Sequence, residues 1–368
     1  MTNNELTERL IDTIALLNVP GVGKGRFHKL VAQFGTPARV MAATVWELEA
    51  VPLVSHTTAA SIRTSCDRDK AKELYARIVQ LGWSMLFPEH PEYPKQLLPL
   101  ADRPALLFRL GEPTKAEDKM IAIVGTRHAS ERGRAFARNL AADLAKAGVI
   151  VVSGMAEGID SAAHQGALEA GGKTIAVWGT PLNHVYPTSN RGLADRIMRQ
   201  GAAYSEYFPD IKPEPGFFPE RNRIISGLSE GVVVVEAGRK SGALITADLA
   251  LEQGKELFAV PGGPESMASL GTNALIKKGA KLLTNVEDIF DELPRLKGQV
   301  VAQKFQTLPD LTDTEKQLVG HLASGPLQID QLSRTAGLPV AELLEYLLAL
   351  ELKGAVQELS GKRYVLVE

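Results

Sequence analysis

Between residues 120 and 278, short apolar runs alternate with longer helical patterns, and this alternation limits the fold more than any other feature of the chain. The runs are Met120–Val124, Val149–Ser153, Thr174–Trp178, Ala202–Ser205, Gly231–Glu236 and Glu256–Val260. Each is short and apolar, as expected of parallel strands covered on both faces. The stretches between them are Arg132–Ala147, Gly158–Ala170, Arg191–Gln200, Arg221–Leu228, Ala243–Gln253 and Thr272–Lys278, all with helical spacing. Repeated βα units predict a doubly wound α/β sheet, which binds ligands beyond the carboxyl ends of its strands.

The flanks read differently. Residues 1–84 form a helical domain, with Leu6, Leu10, Ile14 and Leu17 on one face. Val19-Pro-Gly-Val-Gly-Lys24-Gly-Arg26 then makes a glycine-rich turn of helix–hairpin–helix type. It reads first as a tight turn packing a small bundle. The alternative is a DNA phosphate grip assisted by Lys24, Arg26 and Lys29. Prolines 88, 91, 94, 99, 104 and 113 mark a connector with short strands such as Ala105–Arg109. The central domain spans 85–290, and 291–308 is a linker. Residues 309–368 hold three helical segments and a hairpin around Ser-Gly-Lys362, the pattern of a winged helix.

Composition removes several function classes. Cys66 is the only cysteine, which excludes an internal disulfide and any cysteine-rich metal site. No run is long enough to cross a bilayer and the N-terminus lacks signal-peptide character, so a cytoplasmic chain without membrane insertion is expected. The net charge of −2 gives no whole-protein attraction to nucleic acid, so binding would need a local basic patch. Ala167-Leu-Glu-Ala-Gly-Gly-Lys173-Thr174 imitates a phosphate-binding loop. It lacks the first glycine and runs from helix into strand, the reverse of the required order.

The strand-end loops carry the chemistry. Gly125-Thr126-Arg127 follows the first strand, and small residues there would let a ligand approach free helix N–H groups. Ser153-Gly154 and Gly158 frame a second anion cradle. Asp160 and His164, four residues apart, read as a pair fixing this loop by hydrogen bonds, since no third metal ligand is near in sequence. His184 and Tyr186 offer polar and stacking groups, or alternatively a loop packed on the domain edge. Arg221-Asn222-Arg223 puts two arginines at an expected helix start. That arrangement opposes the dipole unless a phosphate or carboxylate lies beside it, the internal candidate being Glu236. Lys240-Ser241-Gly242 leads directly into another helix.

Carboxylates are too scattered for a two-metal nuclease. Several arginine-bearing cradles with little acid–base machinery suit a polyanion. Phe217, Phe218, Tyr186 and His184 are available for base contacts, so the residues favour single-stranded nucleic acid over a duplex. No cofactor, metal or catalytic residue is expected. The other open reading is an enzyme acting on nucleoside monophosphates (a phosphoribohydrolase), with Pro261-Gly-Gly263 and Glu236 as its handles. Its expected Gly-Thr sequence is displaced here by Pro264–Leu270.

The motifs Val-Gly-Thr-Arg127, Ser153-Gly-Met-Ala-Glu-Gly-Ile-Asp160, Phe218-Pro-Glu-Arg-Asn-Arg-Ile-Ile-Ser-Gly-Leu228, Lys240-Ser-Gly-Ala-Leu-Ile-Thr246 and Val260-Pro-Gly262 together resemble the DprA/Smf family of DNA-processing proteins. The resemblance is dense over 85–290. It implies an extended Rossmann-like core with an N-terminal helical domain (SAM-like or helix–hairpin–helix-like) and a C-terminal winged helix. It also implies a non-enzymatic protein that binds and protects incoming single-stranded DNA, loads the recombinase RecA during natural transformation or recombination, and forms a homodimer. By the family pattern, Arg127, Ser153, Gly154, Arg221, Arg223, Lys240 and the Ser241-Gly242 loop line the DNA pocket. Gly125, Thr126 and Asn222 join them as neighbours on the same loops. Thr126 and Met155 stand where the family often has serine and leucine, both conservative changes.

Residues 311–368 carry five Lys/Arg and eight Asp/Glu, a net −3. The expected recognition helix, 339–352, has Glu342, Glu345 and Glu351 and no basic residue. A duplex-reading helix presents positive charge, so this tail is expected to contact protein or to regulate.

Overall fold

The computed structural model describes residues 3–297, 312–322, 327–352, 355–359 and 362–366. Two compact units result, 1–298 and 299–368. Of the expected linker 291–308, residues 298–308 lie outside the described residues, while Leu296 is buried in a core of the first unit.

In the first unit, six helices precede the sheet: α1 (Asn3–Leu17), α2 (Lys24–Phe34), α3 (Pro37–Ala42), α4 (Val45–Glu49), α5 (His56–Ser65) and α6 (Arg68–Gln80). The strands are β1 (Ser84–Leu86), β2 (Leu107–Gly111), β3 (Met120–Val124), β4 (Ile150–Ser153), β5 (Thr174–Val177), β6 (Ala202–Ser205), β7 (Gly231–Val234), β8 (Glu256–Ala259) and β9 (Lys281–Leu282). Interleaved are α7 (Glu131–Lys146), α8 (Ile159–Glu169), α9 (Arg191–Gln200), α10 (Phe217–Leu228), α11 (Ala243–Glu252), α12 (Leu270–Lys277) and α13 (Glu287–Glu292).

One sheet results, in the order β1-β2-β6-β5-β4-β3-β7-β8-β9. The stretch from β6 to β9 is parallel, while β1 and β2 add an antiparallel edge. The chain steps outward from β3 through β4, β5 and β6, then returns to β3's other side with β7. The switch point therefore lies between β3 and β7, where a doubly wound sheet opens its ligand crevice.

Side chains alternate across β3. Met120, Ala122 and Val124 join a core that includes Ile224, Ile225 and Ala247 of α10 and α11. Ile121 and Ile123 face the opposite side, in a core with Ala137, Leu140 and Ala163 of α7 and α8. All five are buried, each contributing up to about 1.5–3 kcal/mol if large and aliphatic. The helical front is not a detached bundle. Leu10 and Ile14 of α1 and Ile78 of α6 belong to the same core as Trp83, Phe108, Trp178 and Ile197.

Two helix starts differ from expectation in ways that matter. Helix α10 begins at Phe217, four residues before the expected start, because Pro219 fits in a first helical turn where no backbone donor is needed. Arg221 and Arg223 therefore sit within the helix rather than at its N-terminus. The N-terminus of α8 is no open anion cradle either: Ile159 N–H donates to the Thr126 carbonyl at 3.3 Å and Ser161 N–H to the Ala156 carbonyl at 3.1 Å.

The second unit contains α14 (Asp313–Leu322), β10 (Leu327–Gln328), α15 (Ile329–Ala336), α16 (Val340–Leu352), β11 (Val356–Leu359) and β12 (Arg363–Leu366). Its strands form a small antiparallel sheet, β10-β12-β11. Helix α16 buries Leu343, Leu347 and Leu350 and exposes Val340, Leu344 and Leu348. Among the described residues, no helix is long and apolar enough to cross a membrane.

Candidate nucleic-acid interface

A cleft of about 900 Å³ opens at the switch point. The loop after β3 supplies Gly125, Thr126 and Arg127. The loop after β7 and the start of α11 supply Lys240, Ser241 and Gly242. Helix α10 supplies Phe218, Arg221 and Asn222, and Tyr186 closes one side. Most of the expected site residues, from segments far apart in the sequence, thus line one cavity.

Two exposed cations mark its rim, Arg127 and Lys240. Among the described residues neither has an ion-pair partner. The Arg127 guanidinium lies 5.5 Å from the Phe218 ring centroid, a contact that holds it without neutralising it. Tyr186 is 47% exposed and sits 5.3 Å from Phe218, so the two rings form a platform beside the arginine. The Tyr186–Pro187 peptide bond is cis.

The loops themselves are held by Glu236. Its carboxylate accepts from Ser130 N–H at 2.9 Å and from the Ser130 hydroxyl at 2.5 Å, while the Ser130 hydroxyl caps α7 by accepting from Gly133 N–H at 2.9 Å. The Glu236 carbonyl accepts from Thr126 N–H at 2.8 Å. Glu236 thus ties the loop after β7 to the loop after β3. Gly125 serves the same packing: a Cβ there would lie 2.5 Å from Ile159 Cγ1, so its small size answers to the protein interior rather than to a ligand's approach.

Arg221, Gly154, Ser153 and Arg223 lie inside. Arg221 is 5% exposed, and its Nη1 donates to the Gly154 carbonyl at 2.7 Å and to the Val177 carbonyl. Its Nε donates to Asn222 Oδ1 at 3.2 Å, and its other partners are these carbonyls and the nearby Asp160, not Glu236. Gly154 is the spacer, since a Cβ would lie 2.7 Å from Asp160 Oδ2 and 2.8 Å from Arg221 Nη2. Burial pushes the Asp160 carboxyl up to about 6 despite Arg221, and the same burial brings the Arg221 guanidinium down to about 10 despite Asp160. Ser153 is fully buried and donates to the Ile123 carbonyl at 2.6 Å.

Arg223 belongs to a different layer. Its Nη2 donates to Glu206 at 2.5 Å and its Nε lies 3.4 Å from Asp102, with only 5% of the side chain exposed. Glu206, 4% exposed, also accepts from Lys24 at 2.7 Å, and Lys24 reaches Glu220 at 2.9 Å. Lys24 is thus committed to the sheet domain, while Lys29 stays exposed. Arg26 is likewise engaged, donating to the Leu53 and Gly21 carbonyls.

Phe217 stacks on Tyr207 at 4.0 Å rather than lining the cleft. His184 is exposed and also stands outside the lining. Asp160 fixes its loop by accepting from Ala156 N–H at 3.3 Å. His164 takes no part in that bracing. Its Nδ1 pairs with the Thr174 hydroxyl at 2.7 Å, and burial lowers its basicity to about 3. Sequence reasoning missed the wall made by Pro213, Glu214 and Pro215, together with Ile245 and Thr246 of α11. The Pro-Glu-Pro run was the available signal. Among the described residues, no group of three His, Cys, Asp or Glu is placed to hold a metal ion.

These features define a class: a Rossmann-like α/β protein with exposed cations and an aromatic platform at its switch point, extended by a winged-helix unit. The chain belongs to the DprA/Smf family of DNA-processing proteins. The model of the family described as DNA recombination-mediator protein A matches residues 84–294, and that of the DprA winged helix domain matches 302–362. Protein Smf of Escherichia coli is 40% identical over 284 residues, covering 75% of this chain and 76% of its own. DNA processing protein DprA of Streptococcus pneumoniae is 43% identical over 200 residues, covering 54% and 71%. Among solved structures, that of Streptococcus pneumoniae DprA superposes with a TM-score of 0.68 at 31% identity, over 79% of this chain and 98% of that one. The structure of Helicobacter pylori DNA processing protein A, described for its single-stranded DNA binding mode, gives 0.52 at 35% identity, over 58% and 96%.

Proposed function

We propose that the chain binds single-stranded DNA along the switch-point cleft and protects it, and that as a homodimer it presents the strand to the recombinase RecA in natural transformation or recombination. The observation that carries this reading is that Arg127, Lys240 and the Tyr186–Phe218 ring pair line one cleft. Cations that track a backbone, beside rings on which bases stack, are what sequence-tolerant single-strand binding requires. Thr126, Asn222, Ser241 and Gly242 are the accompanying contacts. Arg221, Arg223, Ser153 and Gly154 act one layer below, by shaping the loops.

Duplex binding is disfavoured because the basic helix α2 spends Lys24 on Glu206 and Glu220 and Arg26 on backbone carbonyls, while α16 carries Glu342, Glu345 and Glu351. The nucleoside-monophosphate reading loses its handles. Glu236 is committed to Ser130, and Gly262 is clamped by Asn273 through its N–H at 3.2 Å and its carbonyl at 3.0 Å.

Binding to single-stranded and duplex oligonucleotides across a salt series, with protomer mass measured alongside, tests the proposal. Salt-sensitive single-strand binding well above duplex binding, by a dimer, is expected. No retardation of single strands at low salt would overturn it, and release of free base from nucleoside monophosphates would install the enzymatic reading.

A further inference from the structure

A second concave surface adjoins the cleft and is assigned no role by the site described above. It is the groove between α7 and α8, about 660 Å³ in volume, floored by Gly158 and Ala162 and flanked by Arg134, Asn139 and Gln165. The two are neighbours rather than one cavity. A narrow neck lined by Arg127, Tyr186, Phe218 and Arg221 shares those residues with the cleft and shares Glu157 with the groove. A strand gripped at Arg127 has the groove within reach past Glu157.

The groove's chemistry differs from the cleft's. Its cations are restrained: Arg138 makes a bidentate pair with Glu169, and Arg134 donates to the Ala129 carbonyl. Glu157 accepts from the Ser189 hydroxyl at 2.9 Å, and Asn190 donates to Met155 O and Ser161 Oγ, each at 2.9 Å. Left over are the amides of Asn139 and Gln165, which have no hydrogen-bond partner among the described residues. Each offers two donors and an acceptor, so it can match both the acceptors and the donors of a base edge, whereas a phosphate would use only the N–H groups. The mixed charge of the walls likewise disfavours a run of phosphates.

We propose that the α7–α8 groove receives the bases of the nucleotides that follow those gripped in the cleft, extending the footprint of the single strand along Asn139 and Gln165. This inference rests on the single-strand reading above and goes beyond it by giving the strand a direction across the surface.

The test compares oligothymidylates of about six and about fifteen nucleotides, within the range of site sizes known for single-strand binders. In the wild-type chain, lengthening is expected to raise affinity roughly tenfold, in line with added base contacts. In the double variant Asn139→Leu/Gln165→Leu, the short strand should bind within about twofold of wild type, while the gain on lengthening drops below about threefold. Long strands carrying 4-thiothymidine should also crosslink to peptides from 131–146 or 159–169 in the wild-type chain. A length gain unchanged in the double variant, or crosslinks that avoid both helices, would overturn the proposal and leave cleft binding intact. Failure of wild-type protein to bind either strand would overturn the single-strand reading itself.

Discussion

Arg127 and Arg221 border the same cleft and lead opposite lives. Arg127 sits on a loop beyond a strand end, exposed, leaning on the Phe218 ring. Arg221 lies four residues inside a helix, 5% exposed, spending its donors on two backbone carbonyls beside Asp160. Arg223, two residues on, is spent on Glu206 and Asp102. A rim of unspent charge thus rests on a layer of spent charge. Removing a cation from the rim should cost affinity, and removing one from the layer should cost stability, because it leaves a buried partner uncompensated.

The largest expected effect falls on the layer. Arg223→Ala leaves Glu206 buried with Lys24 as its remaining partner, and should cost about 3 kcal/mol in urea unfolding. A loss below about 1 kcal/mol would place Arg223 outside the stabilising layer.

His164 gives the next effect. Burial keeps its imidazole neutral in the fold, down to about 3 against an ordinary 6.5. Its contribution is therefore complete above about pH 6.5 and is lost as pH falls toward 3. At pH 4.5, two units below the unfolded value, the loss is roughly 2–3 kcal/mol. Asp160 works the other way: its carboxyl, raised from 3.8 to about 6, contributes most below 3.8, and that contribution is lost as pH rises through 6. Comparing wild type with His164→Gln isolates the histidine. The variant should lose less stability between pH 7 and pH 4.5, and equal losses in both proteins would remove His164 from the account.

A smaller effect is expected from the acidic winged-helix unit. Deleting 309–368 should change single-strand affinity by less than about tenfold, since α16 offers no cation to the backbone. A larger loss would move part of the DNA site into that unit. The smallest effect belongs to Lys24. Held between Glu206 and Glu220, it should leave the salt dependence of DNA binding unchanged when replaced by methionine. A shallower slope would return the hairpin to the DNA.

The rim was legible in the sequence, and the layer was not. Strands β3 to β8 lie within one or two residues of the apolar runs that announced them, because a strand covered on both faces needs nearly continuous apolar sequence. Arg127 and Lys240 follow directly, since the loops after parallel strands point at the ligand crevice. The start of α10 was missed because Pro219 reads as a breaker, although a first helical turn tolerates it. Of the antiparallel edge, Ala105–Arg109 announced β2, whereas β1 is three residues long and lies before the proline-rich connector, too short to show a pattern of its own. Burial of Arg221 and Arg223 depends on Asp160, Val177 and Glu206, which no local pattern connects to α10. An arginine beside glycines announces charge, and only tertiary packing decides whether that charge is spent.

The most direct test of this division is the slope of log affinity against log salt for single-stranded DNA in the Arg127→Ala/Lys240→Ala variant. Each single-strand phosphate that the protein no longer neutralises lowers the slope by about 0.7, so a fall of about 1.4 is predicted, with unfolding stability unchanged. A slope equal to that of the wild-type chain would contradict the assignment of the rim as the phosphate grip.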